Sequence, residues 1–262
     1  MPSSSTGIYY EERGTGSDVL LWVHGFGSST RGAKGVVEAF DDYRSILIDL
    51  PGFGRSAAAG NGCRFPALAA AAHGLMGELG IDQYSVIGTS MGGGVALRMA
   101  LDHPEAVRVV IGIVPFPAQG MVGEAADAMM SAMAPLHGNA EALRAAYAGM
   151  SKYPPTAALD DLVEDSCNAN PNTWADWSTG GAAKFSQFDE LASLSVPFCS
   201  IIGADDIVVS ATDQLATAAQ VPHGRTVVLS GLGHMMGLED PQRVINEIRT
   251  SLTLLKPKGA SV

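Results

Sequence analysis

The stretch Tyr84-Ser85-Val86-Ile87-Gly88-Thr89-Ser90-Met91-Gly92-Gly93-Gly94 constrains this chain more than any other. Tyr84 to Gly88 reads as a buried strand and a helix starts near Met91, so the chain has to reverse sharply at Ser90. A turn this tight holds the serine in a strained backbone conformation, its hydroxyl raised above the sheet edge. Gly88 and Gly92 must lack side chains, which would collide with the strand or the helix. The new helix also aims unpaired N–H groups and the positive end of its dipole at the serine. A hydroxyl beside anion-stabilising donors suits acyl transfer. In a chain with 31 glycines, however, the same pattern also fits a serine that merely caps a helix, so the remaining sequence decides.

Along the chain, strand and helix signals alternate. Gly7–Arg13 reads as an edge strand, and Val19–Val23 as a strand covered on both faces that runs into His24-Gly25-Phe26-Gly27. Val36–Phe40 reads as a short helix, and Ser45–Leu50 as a second buried strand ending in Asp49-Leu50-Pro51-Gly52-Phe53-Gly54-Arg55-Ser56. Pro66–Leu79 and Met91–Leu101 are helical by spacing, and Val107–Val114 is another strand. The rhythm breaks at Pro115-Phe116-Pro117. Between residues 118 and 190 three helical patterns appear, Glu124–Met133, Ala140–Met150 and Thr156–Cys167, then a Trp174-Ala175-Asp176-Trp177 cluster and a Gly180-Gly181 break. Strand signal returns at Pro197–Gly203 and Thr226–Leu229, the helix Pro241–Leu255 follows, and Lys256–Val262 reads as a frayed tail. The expected fold class is α/β, a mostly parallel central sheet with helices on both faces. Residues 1–117 and 191–262 form the core, and residues 118–190 insert a helical cap over the sheet edge. His24, Asp49 and Ser90 end their strands on one side, where open α/β sheets bind ligands.

Charge and cysteine content narrow the partners. A formal net charge of −11 argues against nucleic acid or an anionic membrane, both of which need basic patches. The first residues carry no signal-peptide pattern and no apolar run reaches membrane-spanning length. Cys63, Cys167 and Cys199 lie far apart without metal-ligand spacing, so they read as free thiols in a reducing, cytoplasmic compartment.

A serine nucleophile needs a base and a carboxylate to orient that base. Ser230-Gly231-Leu232-Gly233-His234-Met235-Met236 follows the Val227–Leu229 run, and its glycines let His234 lean over the sheet edge. Gly203-Ala204-Asp205-Asp206, ending the preceding strand, supplies the acid.

With these pieces in hand, the chain resembles the α/β-hydrolase fold family over nearly its whole length. The resemblance rests on His24-Gly25-Phe26-Gly27, the Asp49–Ser56 stretch, Gly88-Thr89-Ser90-Met91-Gly92-Gly93, Gly203-Ala204-Asp205-Asp206 and Gly231-Leu232-Gly233-His234. They occur in the family's chain order of Ser, Asp, His. The resemblance implies catalysis by Ser90, Asp206 and His234. Asp206 is preferred to Asp205 because the family's acid commonly sits in Gly-x-x-Asp. It implies an oxyanion hole from the N–H groups of Phe26 and Met91, with Gly27 as runner-up for the former. His24 is expected to prop the oxyanion turn, and Asp49 and Arg55 to stabilise the loop that follows Pro51.

Other residues carry open readings. His73, His103, His137 and His223 read as surface histidines. Met121, Met129, Met130, Met133 and Met150 either pack the cap onto the core or form a deformable apolar wall. Met129, Met133, Trp174, Trp177 and Met235 are the candidate substrate contacts.

In this family, epoxide opening and halide displacement generally use aspartate at the elbow, so Ser90 points elsewhere. The expected function is a cofactor-free serine hydrolase that cleaves a carboxylic ester or lactone of a small to medium apolar substrate, with no metal site. The alternatives are a carbon–carbon bond hydrolase of ring-cleavage diketones, which usually adds a cap arginine (here only Arg144) and a tryptophan, and a non-catalytic ligand-binding member of the fold.

Overall fold

A computed structural model describes residues 4–57, 63–151, 156–179 and 181–255. Among them the strands are β1 (Tyr10–Arg13), β2 (Val19–Val23), β3 (Arg44–Ile48), β4 (Tyr84–Thr89), β5 (Val107–Ile113), β6 (Phe198–Gly203) and β7 (Gly224–Leu229). They form one sheet in the order β1-β3-β2-β4-β5-β6-β7. Every neighbouring pair is parallel except β1 with β3.

Alternation along the strands sorts side chains into two cores. Leu21, Val23, Ile46, Ile48, Val86 and Val110 face one side, while Leu20, Trp22, Leu47, Ile87, Val109 and Ile111 face the other. The first side is covered by α1 (Phe65–Glu78) and α2 (Met91–Asp102), the second by α9 (Pro241–Leu254) and a 3₁₀ turn over Val37–Phe40. Strands buried on both faces are mostly apolar, which is why β2 and the cores of β3 and β4 read as apolar runs. Burying one such Leu or Ile contributes about 1.5–3 kcal/mol. The edge strand β7 instead alternates between exposed and half-buried residues and ends on the buried Leu229.

From β2 the chain steps to β3 on one side, then to β4 on the other. Strand order reverses there, so the loops after β2 and β4 diverge and open a crevice at their C-terminal ends.

Between β5 and β6 the described residues contain helices and turns but no strand: α3 (Glu124–Met133), α4 (Ala140–Met150), α5 (Thr156–Asn168) and α6 (Pro171–Ser178). The first three match the periodic patterns almost residue for residue. The tryptophan cluster proves to be α6. Asn170 caps it by accepting from the N–H groups of Asn172 and Thr173, and Pro171 fills its first turn. Three further details differ from expectation. Val37–Phe40 is a 3₁₀ turn rather than an α-helix, and α7 (Ala211–Gln220) and α8 (Met236–Glu239) had not been expected. Ser210 caps α7 through the N–H of Asp213 at 3.1 Å, a signal hidden behind a mostly polar helix. Gly180, the expected tail Lys256–Val262 and the outermost N-terminal residues lie outside the described residues.

Polar ties bind this helical segment to the strand ends. The Arg31 guanidinium reaches Asp161, Glu164 and Asp165 of α5, and those carboxylates push its pKa further up. Ser166 Oγ donates to the carbonyl of Gly27 at 2.7 Å. The N–H of Asn170 donates to the carbonyl of Gly52 at 2.8 Å.

Candidate active site

Ser90 sits at φ 51°, ψ −117°, a region that non-glycine residues avoid. Hydrogen bonds on both sides fix it: its N–H donates to Ile113 O at 2.9 Å, and its carbonyl accepts from Gly93 N and Phe116 N at 2.8 and 2.9 Å. A Cβ on Gly88 would run into the backbone of Gly92, and one on Gly92 into the carbonyl of Val23. The two glycines are therefore what lets β4 and α2 meet closely enough to make the turn.

His234 lies within reach of the serine. Its Nε2 is 3.0 Å from Ser90 Oγ, and its Nδ1 is 2.9 Å from Asp206 Oδ2. An ionised carboxylate only accepts, so Nδ1 carries the proton and the free Nε2 lone pair faces the serine hydroxyl. Asp206 is itself immobilised, with Oδ1 accepting from the N–H groups of Val208 and Val209 at 2.8 and 3.0 Å. Asp205 is exposed, and its N–H donates to Leu232 O at 3.0 Å, which ties the acid turn to the histidine loop. Gly203 is required where these loops touch, because a Cβ there would lie 2.6 Å from Gly233 O. The Gly233 N–H donates to Glu239 Oε2 at 2.6 Å and steadies the residue preceding His234.

The turn after β2 rests against the elbow: a Cβ on Gly25 would stand 3.4 Å from Thr89 O and 3.5 Å from Ser90 Cβ. Among the described residues, neither the Phe26 N–H nor the Met91 N–H has a protein acceptor. His24 holds this turn. Its Nε2 accepts from Leu50 N at 2.9 Å, so Nδ1 bears the proton and donates to Gly25 O at 2.7 Å. That carbonyl belongs to the peptide whose N–H is Phe26's. Burial lowers the pKa of His24, which favours this neutral form. Asp49 is enclosed beneath the same region, accepting from Thr30 N, Arg55 N and Arg55 Nε.

A cavity of about 490 Å³ opens over Ser90 and His234. That volume suits a small-molecule ligand. Of the candidate contacts, Met129, Met133, Trp177 and Met235 line it, and Phe26 forms part of the wall. Trp174 does not. It is 2% exposed, its indole N–H donates to Met133 O at 3.2 Å, and its ring packs 4.7 Å behind Phe26. The reading of Trp174 as a substrate contact is therefore corrected: it backs Phe26, while Trp177 stacks on Phe26 at 4.9 Å and meets the cavity. Met121, Met130 and Met150 line the cavity too, whereas Met236 is enclosed in the core of the opposite sheet face.

His137 donates to Ala169 O at 2.7 Å inside the helical segment, and His73 stacks on His103 at 3.6 Å, away from the cavity. Cys63 is buried with its thiol pKa pushed up by that burial, which suits a core residue and not a nucleophile. Tyr147 and Val209, which line the cavity, were not singled out from the sequence; a lone Tyr in α4 or a Val after an acidic turn carries no signal of its own.

Comparisons with known proteins place the chain in a family. The family model described as alpha/beta hydrolase fold matches residues 18–241. A 2-hydroxy-6-oxononadienedioate/2-hydroxy-6-oxononatrienedioate hydrolase from Pseudomonas sp is 30% identical, covering 87% of this chain and 85% of that protein. A pimeloyl-[acyl-carrier protein] methyl ester esterase from Aeromonas hydrophila is 28% identical, covering 92% of this chain and 97% of its own. Among solved structures, a thermophilic esterase from Thermogutta terrifontis superposes with a TM-score of 0.80 at 25% identity, over 95% of this chain and 94% of that one. These relatives are named as hydrolases, two of them as esterases.

Proposed function

Because the chain belongs to the α/β-hydrolase fold family, we propose that it hydrolyses a carboxylic ester or lactone of a small to medium apolar substrate through an acyl-enzyme on Ser90. The observation that carries this reading is the unbroken hydrogen-bonded line from Asp206 through His234 to Ser90, with Ser90 and His234 on the wall of a cavity. Ser90 Oγ attacks the carbonyl carbon while His234 Nε2 takes its proton. Asp206 holds the imidazole in the tautomer this requires and stabilises the imidazolium that forms. The developing oxyanion lies between the N–H groups of Phe26 and Met91. His234 then returns its proton to the leaving alcohol. In the second half it takes a proton from water, whose oxygen attacks the acyl carbon and frees the acid and Ser90.

In this reading residues 118–190 are a cap whose methionines and Trp177 receive the apolar part of the substrate. The likeness to the Pseudomonas 2-hydroxy-6-oxononadienedioate/2-hydroxy-6-oxononatrienedioate hydrolase keeps carbon–carbon cleavage as the second reading. Against it, Arg144, the arginine of this segment, pairs with Asp160 on the surface and is absent from the cavity wall. Arg31 reaches the wall with its guanidinium engaged by Asp161, Glu164 and Asp165.

The test compares wild type with Ser90→Ala on p-nitrophenyl butyrate, a γ-lactone and a vinylogous 1,5-diketone, alongside mass spectrometry after treatment with a fluorophosphonate. Turnover of ester or lactone by wild type alone, with the label on Ser90, supports the proposal. Faster turnover of the diketone selects the second reading. No turnover and no label, with ligand binding intact in both proteins, supports a binding protein.

A further inference from the structure

Gln214 is fully enclosed on α7, far in sequence from Ser90 and His234. Its amide Nε2 faces two acceptors, Asp206 Oδ2 at 3.2 Å and the Val209 carbonyl at 2.8 Å. Both neighbours can only accept, so the NH₂ end must point toward them and both of its protons are used. That leaves Gln214 Oε1 enclosed with no donor among the described residues. A buried acceptor without a donor costs stability, and an apolar side chain of similar size would avoid that cost. The arrangement suits a residue whose placement serves something other than stability.

We infer that Gln214 is a positioning residue for the reaction proposed above, acting through Asp206. The inference rests on that reaction and goes beyond it. Two backbone N–H groups pin Asp206 Oδ1, which leaves the carboxylate free to swing about that anchor and carry Oδ2 with it. The Gln214 amide closes this freedom by holding Oδ2, the oxygen that receives the His234 Nδ1–H. The second donor also disperses the negative charge on Oδ2. That weakens its pull on the imidazolium. Because α7 follows the acid turn directly, one short segment supplies the carboxylate, both backbone donors and the side chain that aims it.

The test uses Gln214→Met, similar in volume but without donors, beside wild type and Ser90→Ala. Gln214 is absent from the cavity wall, so KM on p-nitrophenyl butyrate is expected to hold. kcat is expected to fall about tenfold, the rate equivalent of one lost hydrogen bond to a charged group. The acidic limb of the kcat/KM profile is expected to move to higher pH. The unfolding midpoint should stay level or rise, since the variant removes the orphaned acceptor. In the Ser90→Ala background, adding Gln214→Met should move the His234 imidazole titration upward by NMR. This last readout needs no turnover. If wild type proves as inactive as Ser90→Ala, the proposed reaction fails while the titration still tests Gln214. Unchanged kcat and an unchanged His234 titration in Gln214→Met would overturn the inference. Should that variant not fold, Gln214→Glu takes its place: a carboxyl crowding Asp206 should shift the titration further up, and no shift would again overturn it.

Discussion

The strand ends and the helical segment above them are built on opposite plans. At the strand ends, polar groups are held from several directions: Ser90 by hydrogen bonds to its own backbone, Asp206 by two N–H groups, His24 through both ring nitrogens. Across the cavity, residues 118–190 offer thioethers and rings whose contacts are apolar and adjustable. Reacting groups have to stay within fractions of an ångström of their working geometry, whereas a wall that sorts apolar groups needs only shape. The two regions should therefore respond to mutation in different currencies, rate below and selectivity above.

The sharpest test of that contrast is at the strand ends. Ser90→Ala or His234→Ala should lower kcat on p-nitrophenyl butyrate by about 10⁴-fold or more, with little change in the far-ultraviolet circular dichroism spectrum. Next in size, Asp206→Asn should cost roughly 10²–10⁴-fold in kcat, while the exposed Asp205→Asn stays close to wild type. Steady-state kinetics on the pair would break the contrast if their order were reversed. Above the cavity the effects should be smaller and of another kind. Met129→Ala or Met133→Ala is expected to shift the preference among acetate, butyrate and octanoate esters by about tenfold through KM, because one or two methylenes in an apolar pocket are worth about 1–3 kcal/mol. Trp174→Phe, which lies behind Phe26, should leave that ranking unchanged. If it reorders the series, the wall extends deeper than the cavity lining implies.

The smallest effect concerns pH and stability. Burial lowers the pKa of His24 below the ordinary histidine value, and burial together with His103 lowers that of His73. Both sites bind protons more readily when the chain is unfolded. Their contribution to stability is therefore full above about pH 6.5 and declines as pH falls through that value, by at most about 1.4 kcal/mol per unit per group. Urea midpoints measured from pH 8 down to pH 5.5 should fall, and His24→Gln should flatten part of the decline.

The same contrast explains what could be read from the amino-acid order. The elbow, the Gly25–Gly27 turn and the Gly203–Asp206 turn are local: spacing and missing side chains dictate backbone shape, so Ser90, Asp206 and His234 stand out before any coordinates. The boundaries of α3 and α4 were legible because alanine- and methionine-rich turns repeat at helical spacing. Trp174 and Trp177 were not separable, since three residues apart on one short helix, only packing against Phe26 decides which ring meets the cavity. Gln214 left no trace at all. A glutamine in a polar ten-residue helix looks solvent-facing until the helix is seen lying against the acid.

The backbone at residue 90 has one more consequence. A positive φ is a load on the native state that only glycine carries without strain. Ser90→Gly should accordingly yield a protein without chemistry yet harder to melt, and the gap between its midpoint and that of Ser90→Ala would measure how much durability this chain forgoes in order to react.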